Sequence, residues 1–329
     1  MLEHKVCFVI RYKQKRMIES EAVKYKMKES RAEEDKKTNQ KAMESCSLSA
    51  ERKQADENKP QAVKESGITA AGIRAALSAQ NSDLTLMVLD SVDSTNTYAK
   101  ELLHQHGIEK GLIAAREQTA GRGRHGKSFS SVRGNGIYMS LILGVHQNPA
   151  DFLFITSAAA VAVARVLERV SDETPKIKWV NDIWAGDKKL CGILTEAVSK
   201  PGSGLLDYCI IGIGINIQSD FKKMPADVQA VAGTVRHLYT TKDQLIAAVA
   251  DEVFRVSKEL GQEELHEEYR RRSMIIGRDI YWENAGVRKE GRAVDINNSG
   301  NLIVETKDGT VVLNSGLISV RPIAESNQK

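Results

Sequence analysis

The sequence predicts an α+β fold ending in a small all-β module, and three observations predict it. Strand-like and helix-like segments alternate from about residue 67 to 273. After Ser273 the helical spacing stops, and short strands follow one another between turns. Residues 1–66 carry little periodic apolar spacing of either kind. The expected divisions are a charged extension over 1–66, a main domain over 67–273, a β module over 274–323 and a tail over 324–329.

The extension holds 16 Lys/Arg against 12 Asp/Glu, which is the whole of the chain's net charge of +4. The rest is neutral on balance, so a global nucleic-acid-binding charge is not supported. Rich in Lys, Glu, Gln and Ser, residues 1–66 cannot bury enough apolar surface to offset ordering entropy, and are expected to be disordered or loosely helical. They lack the apolar spacing of three packed helices, so no DNA reader is expected there. Cys7, Cys46, Cys191 and Cys209 form neither a CxxC pair nor a zinc spacing, which fits a reducing cytoplasm. The apolar run Val6 to Ile10 is too short for a signal-peptide core, and nothing reads as a membrane span of roughly 20 apolar residues. The longest apolar run, "FLFITSAAAVAVARVL" from Phe152, predicts a buried helix.

Element by element, "ITAAGIRAAL" reads as a short helix and "LTLMVLD" (84–90) as a strand. "DSTNTYAKELL" reads as a helix capped near Ser94 or Thr95, with Gly107 beyond its end. "GLIAARE" and "GIYMSLILG" are strands around a glycine-rich loop, and a long helix runs from about Asp151 to Val170. "KIKWV", "KLCGILTEAV" and "LDYCIIGIGINI" are strands, the last two separated by the hairpin signal "SKPGSG". Thr241 and Gln244 have capping-box spacing for a helix reaching about Leu260. In the C-terminal module "ENAG", "NNSG" and "KDG" are turns between four or five strands.

Four polar clusters interrupt this pattern. Asp93-Ser94-Thr95-Asn96 is either a plain helix cap or a fork of hydroxyl and amide groups for a small polar ligand. Gly121, Gly123 and Gly126 let backbone N–H groups approach an anion while Arg122, Arg124 and Lys127 supply charge. The spacing fits neither a Walker loop nor a Rossmann turn, and an RGG-like nucleic-acid contact lacks its aromatic residues. In "KIKWVNDIWAGDKKLCGILTE", Asn181-Asp182 and Lys189 flank a turn that could be an ordinary hairpin. In "GIGINI", Gly212 and Gly214 alternate inside a strand, as a kinked core strand or a close backbone approach would require.

In order and spacing, "STN", "QTAGRGRHG", "KWVND", "KKLCGIL" and "GIGIN" resemble the biotin protein ligases, enzymes that adenylate biotin and attach it to a carrier lysine. The resemblance runs from about Leu84 to Ile323. It implies a class II synthetase-like catalytic domain, a mixed β-sheet flanked by helices, and a C-terminal SH3-like β-barrel. It also implies biotin as substrate, ATP with Mg²⁺, and a biotin carboxyl carrier domain of an acyl-CoA carboxylase as partner. Exposed sheet edges could pair two copies into a homodimer; no membrane or nucleic-acid partner is expected.

By resemblance, Ser94, Thr95, Asn96 and Gln118 would line the biotin pocket, and the loop Gly121, Arg122, Gly123 to Gly126 would close over it. Arg124 and Lys189 would each contact both the biotin carboxylate and the nucleotide phosphates, with Gly192 beside them. Gly126, Phe129, Asn181, Gly212, Gly214 and Asn216 would complete the nucleotide side. Arg124, Lys189 and Asp182 are the expected catalytic residues, with Asp182 near Mg²⁺, the phosphates or the incoming lysine. Lys188 could stand in for Lys189, since only strand alternation separates them. Val180 stands where the family often has Pro, His125 where a third arginine is common, and Phe129 where an aromatic, often Trp, packs. The alternatives are a lipoate or octanoate ligase or transferase of the same fold, and a biotin-sensing repressor.

Overall fold

The computed structural model describes residues 67–199, 204–218, 226–284, 286–314 and 320–322. The extension expected over 1–66 and the tail over 324–329 lie outside these residues.

Seven strands form one sheet: β1 (Thr85–Leu89), β2 (Lys110–Ala115), β3 (Gly136–Gln147), β4 (Lys176–Lys178), β5 (Asp182–Ala185), β6 (Lys188–Val198) and β7 (Leu206–Asn216). Their order is β1-β2-β3-β7-β6-β5-β4. β1 and β2 pair in parallel and the other neighbours antiparallel, so the sheet is mixed as expected. Helices α1 (Ala70–Ala76), α2 (Thr95–His106), α3 (Ile155–Val170), α4 (Ala226–Val231), α5 (Lys242–Val256) and α6 (Glu263–Arg272) accompany it.

Period-two alternation divides the sheet's faces. Cys209, Ile211, Ile213 and Ile215 of β7 join the large core beneath α3 and α5, whereas Tyr208 and Ile210 pack with Ala99 and Leu103 of α2 on the opposite face. α3 is buried around most of its circumference. That explains why Pro149–Val170 is long and apolar enough to pass for a membrane span by composition, yet 72% of its most apolar window is buried inside the protein. The predicted start at Asp151 is a separate 3₁₀ turn, Pro149–Phe152, capped by Asn148.

Local signals set several boundaries. α2 ends at Gly107, whose φ of 62° places it in the left-handed region. α5 begins with the expected capping box between Thr241 and Gln244. α6 was not legible, because only Leu265, His266 and Tyr269 are buried in a run of charges. Ion pairs hold it: Arg165 of α3 reaches Glu268, and Arg272 reaches Glu168 at 2.7 Å.

The C-terminal module is a five-stranded antiparallel sheet of β8 (Asp279–Asn284), β9 (Val287–Ile296), β10 (Leu302–Thr306), β11 (Gly309–Leu313) and β12 (Val320–Pro322), in the order β11-β10-β9-β8-β12. Its "NNSG" turn seats on the main domain. Gly300 O accepts from Trp179 Nε1 at 2.9 Å, and Ile296 O accepts from Arg270 Nε at 2.8 Å. Tyr269 donates to Val180 O at 3.1 Å, so the segment after β4 is held from two sides.

Candidate active site

β7 builds the floor of the site by the alternation that builds the core. Toward the start of α2, positions 212 and 214 continue the face of Tyr208 and Ile210, but as glycines they leave that face open. The register sets Gly214 opposite Gly192 of β6. A Cβ on Gly214 would meet the Phe129 ring at 2.4 Å, and one on Gly192 would meet it at 3.1 Å. A Cβ on Gly212 would lie 2.3 Å from Asn96 Oδ1. The glycines admit two side chains, Phe129 and Asn96, onto the sheet.

Above this floor lies a cavity of about 250 Å³. Ser94 is the N-cap of α2 but makes no capping bond with its side chain, and it lines the cavity beside Thr95 and Asn96. Thr95 N donates to Gln118 Oε1 at 2.8 Å, and Gln118 Nε2 donates to Ser131 Oγ at 2.7 Å. The fully buried Ser140 hydroxyl lies 2.6 Å from Asn96 Oδ1 and 2.7 Å from Thr95 Oγ1. With a single proton, it can donate to the Asn96 carbonyl and accept from Thr95. Asn96 Nδ2 in turn donates to Glu196 Oε2 at 2.9 Å. Three of the fork's residues, Thr95, Asn96 and Gln118, are held by these partners.

The glycine-rich loop folds on itself: Phe129 N donates to Gly121 O at 2.8 Å, and Gly123 N to Lys127 O at 2.7 Å. His125 sits at φ 55° in the left-handed region, next to Gly126 at φ 72°. Burial pushes the His125 imidazole below its ordinary value, and the Arg124 and Lys127 charges push in the same direction. Arg124 Nη1 donates to Asn181 Oδ1 at 3.1 Å, tying the loop to the segment after β4. Asn181 is fixed in its turn, donating from Nδ2 to Ile193 O at 2.6 Å. Burial lowers the pKa of the Arg124 guanidinium while the Asp182 charge opposes that shift, and a guanidinium remains a cation throughout.

Lys189 Nζ lies 2.8 Å from Asp182 Oδ1. A bulge decides which lysine enters. Counting back from Gly192 in strict alternation would bring Lys188 to the site, but the β5–β6 register pairs Ile183 with Cys191 and Trp184 with Lys189, leaving Leu190 as an extra residue. Leu190 and Cys191 both turn to the core, Lys189 faces the cavity, and Lys188 bonds Ala230 O outside it.

The cavity thus brings together Ser94, Thr95, Asn96, Gln118, Arg122, Gly123, Arg124, Phe129, Asn181, Asp182, Lys189, Gly192, Gly212 and Gly214. Three expected residues are not in its lining. Gly121 packs against Phe129 O and Ser131, Gly126 shapes the loop turn, and Asn216 uses its amide on Lys189 O at 3.3 Å. Asn216 therefore supports the lysine strand. The sequence reading missed Ser128, Lys178, Trp179 and Val320, which also line the cavity. Lys178 and Trp179 stood inside a motif already singled out; Val320 comes from β12 and carried no local signal.

The Biotin/lipoate A/B protein ligase family matches residues 88–216, and the Biotin protein ligase C terminal domain matches residues 284–321. A bifunctional ligase/repressor BirA of Bacillus spizizenii is 30% identical over 233 residues, covering 68% of this chain and 70% of the relative. A biotin–[acetyl-CoA-carboxylase] ligase of Mycobacterium tuberculosis is 28% identical over 242 residues, covering 69% of this chain and 87% of the relative. Among solved structures, the biotin protein ligase of Aquifex aeolicus in complex with biotin and ATP superposes with a TM-score of 0.61 at 25% identity, over 73% of this chain and 99% of that one. In sequence and architecture alike, the chain belongs to the biotin protein ligase family.

Proposed function

We propose that this chain activates biotin with ATP as biotinyl-5'-AMP and transfers the biotinyl group to one lysine of a biotin carboxyl carrier domain. One observation carries the reading: a single cavity holds Arg124 and Lys189 beside a neutral hydrogen-bonding fork, with a glycine-rich loop over it. On this reading residues 67–273 form the catalytic domain and 274–323 its β module.

The first step joins two anions. A biotin carboxylate oxygen attacks the α-phosphorus of ATP, the bond to pyrophosphate breaks, and pyrophosphate leaves. Two unit charges at about 4 Å repel by roughly 4 kcal/mol at an effective dielectric of about 20. Arg124 and Lys189 offset that repulsion and stabilise the charge of the departing pyrophosphate. Thr95, Asn96 and Gln118 offer donors and acceptors to the uncharged end of biotin.

Among the described residues no cluster of three or more His, Cys, Asp or Glu could hold a metal ion, and Asp182 is the one carboxylate in the cavity lining. That donor set does not fit a resident, protein-held ion. It fits Mg²⁺ carried in on the ATP phosphates, with Asp182 as its protein ligand at most. Bound there, the ion supplies further neutralisation of phosphate charge.

In the second step the carrier amine attacks the activated carbonyl, the bond to the AMP oxygen breaks, and AMP leaves. Asp182 orients that amine and receives its proton. The mixed anhydride survives between the steps only if water is kept out, which is the work of the loop.

The test is biotin-dependent exchange of labelled pyrophosphate into ATP by the full chain. Exchange with biotin and not with lipoate supports the reading. Exchange with lipoate alone keeps the chemistry and reassigns the pocket, a substitution against which the C-terminal domain match speaks.

A further inference from the structure

Glu196 of β6 has no part in the steps above, yet its carboxylate touches both the fork and the loop. Oε2 accepts from Asn96 Nδ2 at 2.9 Å. Oε1 lies 2.6 Å from Lys100 Nζ and 3.6 Å from Arg122 Nη1. Asn96 and Lys100 are one helical turn apart on α2, so both point at the same strand. The Glu196 side chain is 17% exposed and that of Arg122 51%. Burial would raise the Glu196 carboxyl, but the hydrogen bonds from Lys100 and Asn96 outweigh it and hold the group below its ordinary value. It is therefore an anion at neutral pH.

Resting on the ligase reading, we infer that Glu196 is the positioning residue that couples the fork to loop closure: it fixes the Asn96 amide with one oxygen and draws Arg122 of the loop with the other. Lys100 competes with Arg122 for Oε1. The short Lys100 contact and the long Arg122 contact leave the loop tethered but not locked, as a lid that must admit substrate requires.

The experiment measures the rate at which free biotinyl-AMP leaves the full chain, loaded with biotin and Mg-ATP in the absence of carrier. Glu196→Gln keeps an acceptor for Asn96 but removes the charge that draws Arg122. It should speed the leak about two- to fivefold, the range of a half-exposed ion pair, with a smaller change in biotin affinity. Arg122→Gln should do the same, and the double variant no more than either. Lys100→Met should slow the leak, because Oε1 then belongs to Arg122 alone. A merely structural Glu196 would make Lys100→Met as leaky as Glu196→Gln, and that result overturns the inference, as does an additive double variant. Should Glu196→Gln fail to fold, Arg122→Gln and Lys100→Met carry the test. A wild-type chain that forms no adenylate overturns the ligase reading and this inference with it. A wild-type chain that forms adenylate, with variants that leak no faster, overturns this inference alone.

Discussion

Lys189 Nζ and Asp182 Oδ1 are paired at 2.8 Å across the β5–β6 hairpin. Each is the natural partner of something the reaction brings. On the proposed reading, phosphate and carboxylate oxygens would take Lys189, which would release the Asp182 carboxylate for the amine of the carrier.

The two residues should therefore fail at different steps. Lys189→Met should slow biotin-dependent pyrophosphate exchange by roughly 10²–10³-fold, the scale of removing one preorganised electrostatic group. Asp182→Asn should slow transfer to the carrier by about 10²-fold, the scale of a misaligned reactant, and slow exchange much less. Single-turnover measurement of both steps checks this, and equal losses for Asp182→Asn would contradict its role.

Arg124 anchors the loop to Asn181 and lines the cavity, where the proposed reading has it neutralise anions. Arg124→Gly should loosen the seal, so that free biotinyl-AMP escapes and labels lysines on bystander proteins. Mass spectrometry of a mixture of carrier and serum albumin reads this directly; labelling confined to the carrier would count against a sealing role.

The glycine floor predicts a rescue. Gly214→Ala drives its Cβ to 2.4 Å from the Phe129 ring, and adding Phe129→Ala should restore most of the lost binding. Gly212→Ala meets Asn96 Oδ1 at 2.3 Å, where Ser140 and Glu196 hold the amide on both sides. No Phe129 substitution should rescue it. Isothermal titration with biotin distinguishes the two positions.

His266 predicts a pH dependence of stability. It is buried against Phe154 with Nδ1 unpartnered, and burial lowers its pKa from the ordinary 6.5 despite a backbone bond to Leu260. The unfolded chain therefore binds more protons than the folded one just below pH 6.5, and its contribution to stability is full above that value and lost as pH falls through it. In His266→Phe that component of the slope should vanish. Melting temperatures of both proteins between about pH 8 and 5.5 decide it, and parallel curves would contradict the assignment.

Much of the site was legible because it is made of local pattern. The period-two spacing of Gly212 and Gly214 against Ile211, Ile213 and Ile215 states in sequence which face is open and which is core. Other features depend on register or on distant chain. The bulge at Leu190 that selects Lys189 over Lys188 is invisible to strict alternation, and Asn216 reads as a wall residue until its bond to Lys189 O is seen. Val320 reaches the cavity from β12, and Glu196 joins fork to loop, through contacts far apart in the chain. Polar helix α6 escaped because its buried face is only Leu265, His266 and Tyr269 in a run of charges, several of which pair with α3.

The most direct measurement of the central claim is the intact mass of an apo biotin-carrier domain incubated with this protein, Mg-ATP and equal biotin and lipoate. A single biotinyl adduct on one carrier lysine, absent without ATP, is the expected result. A lipoyl adduct, or no adduct while biotin is tightly bound, would contradict it.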